Sequence, residues 1–338
     1  MQTEVISIII PCRNEEQYIS KCLNSVNDFL IPKDVEIEIF VIDGESTDRT
    51  LRIVEDFIHN DNRIKILKNP DIFQANALNI GISQSSGAWI MRLDAHTIYP
   101  KTYLMDLYNT AIETNAENCG GQLKTLPGGT NYGASLVQAL TTHSFGVGDS
   151  SFRTDAKPGE VDTVPFGFFK RKIFDKIGLF NEKLVRAQDY EFNRRILKYG
   201  YKIWMNPDIK CTYYNQSSLL KFYKKQIFKE APYNAYMWFL APYTFAYRHA
   251  ITGAFALGII GGLFLSLYIP IIKFIFVSVL VLYFCLSILS SFQQAIRYKM
   301  FLHMVALPIC FFLFHVLHGV GVLSGIIRIL SRTTPFHE

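Results

Sequence analysis

The final third of the chain constrains it more than anything before. Ile251–Ile272 is apolar throughout, Phe274–Ser290 likewise, and Met300–Ile327 is apolar apart from His303, His315, His318 and a few small residues. Crossing the hydrocarbon of a bilayer takes about 20 apolar residues in a helix. The first and third runs meet that length. The second meets it once extended past Lys273, whose long stem can carry its charge to the interface. A buried helical hairpin in a soluble protein is the alternative, and three such runs in succession argue against it.

Composition supports the same division. Hydrophobic residues make up 49% and charged residues 19% of the 338, but the shortage of charge begins only near Phe239. Earlier residues have ordinary globular composition. A net charge of +5 is too small to imply a nucleic-acid partner, and no zinc-knuckle or RNA-binding signature is present. Cys12, Cys22, Cys119, Cys211, Cys285 and Cys310 form no CxxC pair, so they read as small buried hydrophobes in a reducing compartment. The opening MQTEVISIIIPCRNEE lacks the basic start and long apolar core of a signal peptide. The N-terminal domain is therefore expected in the cytoplasm.

Between the two regions, Lys221, Lys224, Lys225 and Lys229 interleave with Phe222, Tyr223, Ile227 and Phe228. Basic and aromatic residues beside a membrane span predict a helix lying in the interface, with an ordinary solvated face as the alternative. Arg297 and Lys299 suit a cytoplasmic loop after the second span. A third span would then place Arg328 and Arg332 outside, which conflicts with the positive-inside rule, so the third run either re-enters or the orientation differs. The expected domains are 1–218 (catalytic), 219–248 (interfacial linker) and 249–330 (two or three membrane helices). The expected location is a multi-pass protein of the inner (plasma) membrane.

The N-terminal region alternates strand and helix signals. Strands are predicted at Ile6–Ile10, Ile37–Ile42, Ile64–Leu67 and Ala88–Leu93, and helices at Glu15–Phe29, Asp48–His59 (capped by Ser46 or Thr47) and Phe73–Ser83. Such alternation predicts an α/β fold with a parallel sheet. Ligands of these sheets bind at the carboxyl ends of strands. The polar residues just past those ends are Arg13, Asn14, Glu15, Asp43, Asp94 and His96. Residues 145–160, polar and glycine-containing, read as a loop.

Four segments, ISIIIPCRNEE, VIDGESTDRT, IMRLDAHTIYP and AQDYEFNRRI, resemble in order and spacing the motifs of family 2 inverting glycosyltransferases, whose fold is GT-A. The run NPDIFQANALNIGISQSSGAWIMRLDAH followed by VDTVPFGFFKRKIFDKIGLFNE is most similar to the succinoglycan-type exopolysaccharide enzymes. The likeness covers about Val5 to Ser218. It implies a Rossmann-like, mostly parallel nucleotide-binding sheet and a sugar transfer from a nucleotide-sugar donor, a UDP-hexose, to a polyprenyl-linked or polysaccharide acceptor.

It also implies roles for particular residues. Pro11, Glu15 and Asp43 would line the base and ribose pocket, since a carboxylate can accept from the uracil ring N–H and ribose hydroxyls. Asp43 before Gly44 is also a common turn residue. Arg13 would meet phosphate oxygens or simply sit on the surface, and Arg92 is placed with the donor. Asp94 and His96 occupy the metal motif, where a divalent ion would neutralise the leaving diphosphate. An imidazole in place of the second carboxylate favours manganese over magnesium, which prefers oxygen ligands; a loop histidine is the alternative. Asp189 is the candidate general base or, alternatively, an N-cap. The family has a glutamate before it; here Gln188 stands there. Phe166 and Gly167 match a sugar-holding position. The QxxRW signature of processive members is absent, which favours adding a single sugar. Rival readings are transfer directly onto polyprenyl phosphate and a non-catalytic nucleotide-binding subunit of an export complex. Asp94 and Asp189 argue against the second.

Overall fold

A computed structural model describes residues 3–154 and 157–333. The chain forms two compact units, Met1–Lys124 with Asp155–Tyr214, and Thr125–Thr154 with Asn215–Glu338. This differs from the expected boundary at 218, because Thr125–Thr154 condenses with the C-terminal helices.

The first unit is built on a nine-stranded sheet: β1 (Glu4–Cys12), β2 (Val35–Asp43), β3 (Ile64–Lys68), β4 (Trp89–Arg92), β5 (Thr97–Ile98), β6 (Asn118–Leu126), β7 (Gly159–Glu160), β8 (Phe168–Lys170) and β9 (Ile203–Tyr214). Their order is β3-β2-β1-β4-β8-β6-β9-β5, with β7 beside β9. β1 runs parallel to β2 from Glu4↔Val35 to Cys12↔Asp43, and parallel to β4 on its other side. β3 is parallel to β2. Ile6, Ile8, Ile9 and Ile10 of β1 are all fully buried, as expected of a central strand covered on both faces. The pairings β4–β8, β8–β6, β9–β5 and β9–β7 are antiparallel. The parallel expectation thus describes the first four strands, within a mixed α/β sheet.

Local differences have local causes. The helix expected from Glu15 starts at Ile19; Glu15 lies in the turn before it, its backbone N–H donating to Thr50 Oγ1 at 2.7 Å. Neither Ser46 nor Thr47 caps the next helix, Thr50–Ile58. Ser46 Oγ accepts from the Asn14 N–H, and the Thr47 N–H donates to Asn14 Oδ1. Asp48 instead accepts from the Thr50 N–H at 2.9 Å. Of the loop expected at 145–160, the described part contains the short helix Ser144–Val147 and β7, and residues 155–156 lie outside the described residues.

The second unit is helical. Three of its helices are long and apolar enough to cross a membrane: Tyr247–Leu265, Pro270–Tyr298 and His303–Leu330. The third is one uninterrupted helix of 28 residues. Over the most apolar stretch of each, 11%, 6% and 56% is buried within the protein. The third helix is therefore the packed one. Its first half meets Leu136, Val137 and Leu140 of the helix Tyr132–Thr141, with Phe222, through Leu307, Phe311 and Phe314. The linker region forms Leu219–Lys225, a π-helical turn at Gln226–Glu230 and Ala231–Leu240. Cys12, Cys22, Cys119, Cys211 and Cys310 are buried free thiols, while Cys285 is exposed on the second apolar helix.

Candidate active site

The parallel register carries β2, β1 and β4 to a common edge, where their carboxyl ends deliver Asp43, Pro11 to Glu15, and Arg92 to His96. β4 is short and apolar until Arg92, whose guanidinium is 5% exposed. Its Nη2 donates to Asp94 Oδ1 at 3.1 Å, and its Nη1 lies 3.5 Å from Asp189 Oδ2. Neither Nε nor Nη1 has a hydrogen-bond partner among the described residues. Burial opposes the charge on this guanidinium, but the nearby Asp94 and Asp189 carboxylates more than offset it, so its pKa is raised. One buried cation thus holds two carboxylates on either side of it.

Asp94 also receives Gln74 Nε2 on the same oxygen, Oδ1, at 3.2 Å. Its backbone N–H donates to the Tyr99 hydroxyl at 2.8 Å. Tyr99 is fully buried, and that burial keeps it a neutral phenol with a raised pKa. Phe166 packs edge-on against Tyr99, 5.8 Å between ring centres. Phe166 and Gly167 both adopt positive φ, 62° and 105°. A side chain at Gly167 would run into the Phe169 ring at 2.3 Å, and the Gly167 carbonyl accepts from the Arg92 N–H at 3.0 Å. Glycine is thus required here by the protein's own packing as well as by φ.

Asp189 lies in the first turn of the helix Gln188–Lys198, one residue inside it. The cap position falls to Ala187 at φ 61°, so Asp189 is not the N-cap. Its Oδ1 accepts from the Tyr190 N–H at 2.8 Å, and its side chain is 45% exposed. Glu191, the neighbouring acid, is 1% exposed and ion-paired to Arg195 at 2.5 Å, which leaves Asp189 as the accessible carboxylate.

His96 Nδ1 stands 3.3 Å from Glu15 Oε1, which joins a residue expected to meet the nucleoside to one expected to meet the metal. Asp43 is 4% exposed. Its Oδ2 accepts from the Ser46 N–H at 3.1 Å, so the turn role is real at this position. Burial and the adjacent Asp43 and Glu15 push the Cys12 thiol well above its ordinary pKa, so it stays protonated and inert. Pro11 is partly exposed on β1, and Arg13 is exposed.

Among the described residues no group of three or more His, Cys, Asp or Glu side chains could hold a metal on its own. Two donors, Asp94 and His96, follow β4. That set still fits a divalent ion bound mainly through substrate phosphates, which takes one or two protein ligands and completes its shell with phosphate oxygens and water. Both Arg92 and Gln74 bond Oδ1 of Asp94, which leaves Oδ2 for such an ion.

Sequence reasoning missed the role of Gln74, which nothing in a helical QANALN run marks out. Arg92 did carry a signal: a charge closing an otherwise apolar strand.

The model of glycosyl transferase family 2 matches residues 7–178. The Methanococcus voltae dolichyl N-acetyl-alpha-D-glucosaminyl phosphate 3-beta-D-2,3-diacetamido-2,3-dideoxy-beta-D-glucuronosyltransferase is 31% identical over 96% of this chain and 97% of its own length. Succinoglycan biosynthesis protein ExoA of Rhizobium meliloti (strain 1021) is 28% identical over 64% of this chain and 65% of its own. In fold, the chain resembles mannosyltransferase PcManGT from Pyrobaculum calidifontis, solved with GDP-Man and Mn2+. The TM-score is 0.62 over 96% of this chain and 86% of that one, at 15% identity.

Proposed function

Because the chain belongs to glycosyl transferase family 2, we propose that it transfers one sugar, with inversion, from a UDP-hexose to a polyprenyl-linked glycan. The observation that carries this reading is the pair of carboxylates, Asp94 and Asp189, held on either side of the buried Arg92 at the strand ends. Asp189, partly exposed, takes the proton of the acceptor hydroxyl while that oxygen bonds to the anomeric carbon. The bond from that carbon to the diphosphate breaks, and the electron pair leaves with the nucleotide. Pro11, Arg13, Glu15 and Asp43 hold the nucleoside end, with Phe166 and Gly167 beside the sugar. Asp94 and His96 would hold a divalent ion, manganese before magnesium, which neutralises diphosphate charge when bound.

The acceptor class is supported by the Methanococcus relative, named for a dolichyl-phosphate-linked sugar and matched along nearly its whole length. The three apolar helices support a multi-pass membrane protein, and the first unit is assigned to the cytoplasmic side on the basic residues Arg297 and Lys299 after the second span. Lys221, Lys224 and Lys229, all exposed, are suited to an anionic headgroup surface. We assign residues 1–218 mainly to catalysis, 219–248 to the interface and 249–330 to the membrane, with Thr125–Thr154 packing in the helical unit.

The test is full-length protein in liposomes, given polyprenyl-linked glycans and a panel of UDP-glucose, UDP-N-acetylglucosamine and UDP-glucuronate. UDP release is followed together with label reaching the lipid extract. Asp189→Asn should lower transfer at least ~100-fold and keep UDP binding. Normal turnover in that variant would overturn the assignment of the base.

A further inference from the structure

The family pattern places a glutamate before the base, and this chain has Gln188. Gln188 is 4% exposed, and its Nε2 donates to Gln74 Oε1 at 2.6 Å. Gln74 in turn donates through Nε2 to Asp94 Oδ1 at 3.2 Å. Arg92 reaches that same oxygen and also faces Asp189, the residue next to Gln188. The connections close on themselves, from Asp94 through Gln74 and Gln188 to Asp189, and back through Arg92.

We propose that Gln74, Gln188 and Arg92 are positioning residues that lock the Asp189 carboxylate to Asp94, so that the acceptor side and the donor side of the reaction keep one fixed geometry. The proposal rests on Asp189 as base and Asp94 as donor-side ligand.

The direction of the amide chain explains the glutamine. Asp94 accepts only, so Gln74 must turn its NH2 toward Asp94 and its carbonyl toward residue 188. Residue 188 must then donate. A glutamate there would face the Gln74 carbonyl with a second acceptor. Turning the Gln74 amide over would satisfy that glutamate but set a carbonyl against Asp94. Either way one bond of the two is lost, and Gln188 is too buried for water to replace it freely. Gln74 and Gln188 are therefore a matched pair. They tie the first residue of the helix Gln74–Gln84 to the first residue of the helix that bears the base.

The experiment compares Gln188→Glu, Gln74→Met and the double variant, as full-length protein in the same liposome assay with the UDP-hexose that the panel selects. Gln188→Glu keeps the side-chain shape, and thermal melting checks folding of each variant. We expect Gln188→Glu to lower kcat by ~10-fold or more while the dissociation constant of UDP with manganese changes less than ~3-fold. Once Gln74 is gone the chain is already broken, so the double variant should fall within ~2-fold of Gln74→Met alone. Wild-type kcat in Gln188→Glu, or losses that simply multiply in the double variant, would overturn the linkage. Activity in Asp189→Asn would instead overturn the reading of the base, whatever the glutamine variants do.

Discussion

The two units differ in what makes their most extensive contacts. In the first, bulk fills space: Phe169, Phe174, Phe180 and Phe192 form one aromatic cluster, with Phe180 and Phe192 centred 4.5 Å apart. In the second, the first half of the third long helix also packs through bulk, at Leu307, Phe311 and Phe314, but its C-terminal half meets its neighbours through glycines. A side chain on Gly319 would lie 2.0 Å from the Thr252 carbonyl oxygen, one on Gly321 2.7 Å from that of Ile227, and one on Gly325 2.6 Å from that of Pro232. On the membrane reading proposed above, the difference follows from the surroundings. In water, burying an aromatic ring is itself favourable. Among lipid tails apolar burial supplies little, and helices associate through the backbone contact that small residues allow.

That contrast is open to a direct break. Gly319→Leu should have the largest effect, destabilising the helical unit by about 3 kcal/mol or more, because a backbone carbonyl cannot step aside. It would appear as early loss of monodisperse protein on graded heating in detergent. Gly81→Ala in the first unit, whose new methyl would meet the Ile9 side chain first, at 2.6 Å, should cost about 1 kcal/mol. A milder loss at Gly319 than at Gly81 would refute the distinction between the units.

A second, smaller effect sharpens what the strand ends contribute beyond packing. His96→Ala should lower transfer with manganese roughly 10-fold and narrow the preference for manganese over magnesium, with little change in melting. Full activity in excess chelator would exclude the ion altogether.

The smallest effect belongs to the basic face of the second unit. Lys225 is engaged with Glu230 at 3.2 Å, so the informative set is Lys221, Lys224 and Lys229. Changing those three to glutamine should raise the acceptor KM by roughly 5-fold on anionic liposomes and leave the donor KM unchanged. An equal effect on neutral liposomes would show that headgroup charge is not what they read.

The units also differed in how legible they were. The strands of the first unit were readable because a buried parallel strand is a run of β-branched residues, and β1 to β4 lie within two residues of the expected bounds at either end. The convergence of Asp43, Asp94 and the Arg13–Glu15 turn at the strand ends then followed. Contacts made by polar side chains across long separations were not readable. Ser46 and Thr47 looked like caps, yet Asn14 competes for them from 32 and 33 residues away. Gln74 meets Gln188 across 114 residues, and no local pattern records that. In the second unit hydrophobicity announced two or three helices, without deciding the third and without their ranking. The glycines of the third, which read as interruptions of an apolar run, form the contact face of its C-terminal half. The boundary expected at 218 likewise overlooked the apolar face of Tyr132–Thr141, whose partners Leu307, Phe311 and Phe314 lie more than 160 residues on.

The second apolar helix, Pro270–Tyr298, has 29 residues. At 1.5 Å per residue it is ~43 Å long, against a hydrocarbon layer of ~30 Å. Its C-terminal end is anchored: Gln294 Nε2 donates to the Ala139 carbonyl at 2.6 Å, and the Tyr298 hydroxyl bonds Thr142 Oγ1 at 2.8 Å. A rod pinned at one foot cannot slide to match its surroundings, and the remaining response to hydrophobic mismatch is tilt. In a bilayer, a change of thickness therefore acts on this helix as a torque about Gln294, and the end of Tyr132–Thr141 is where that torque is borne.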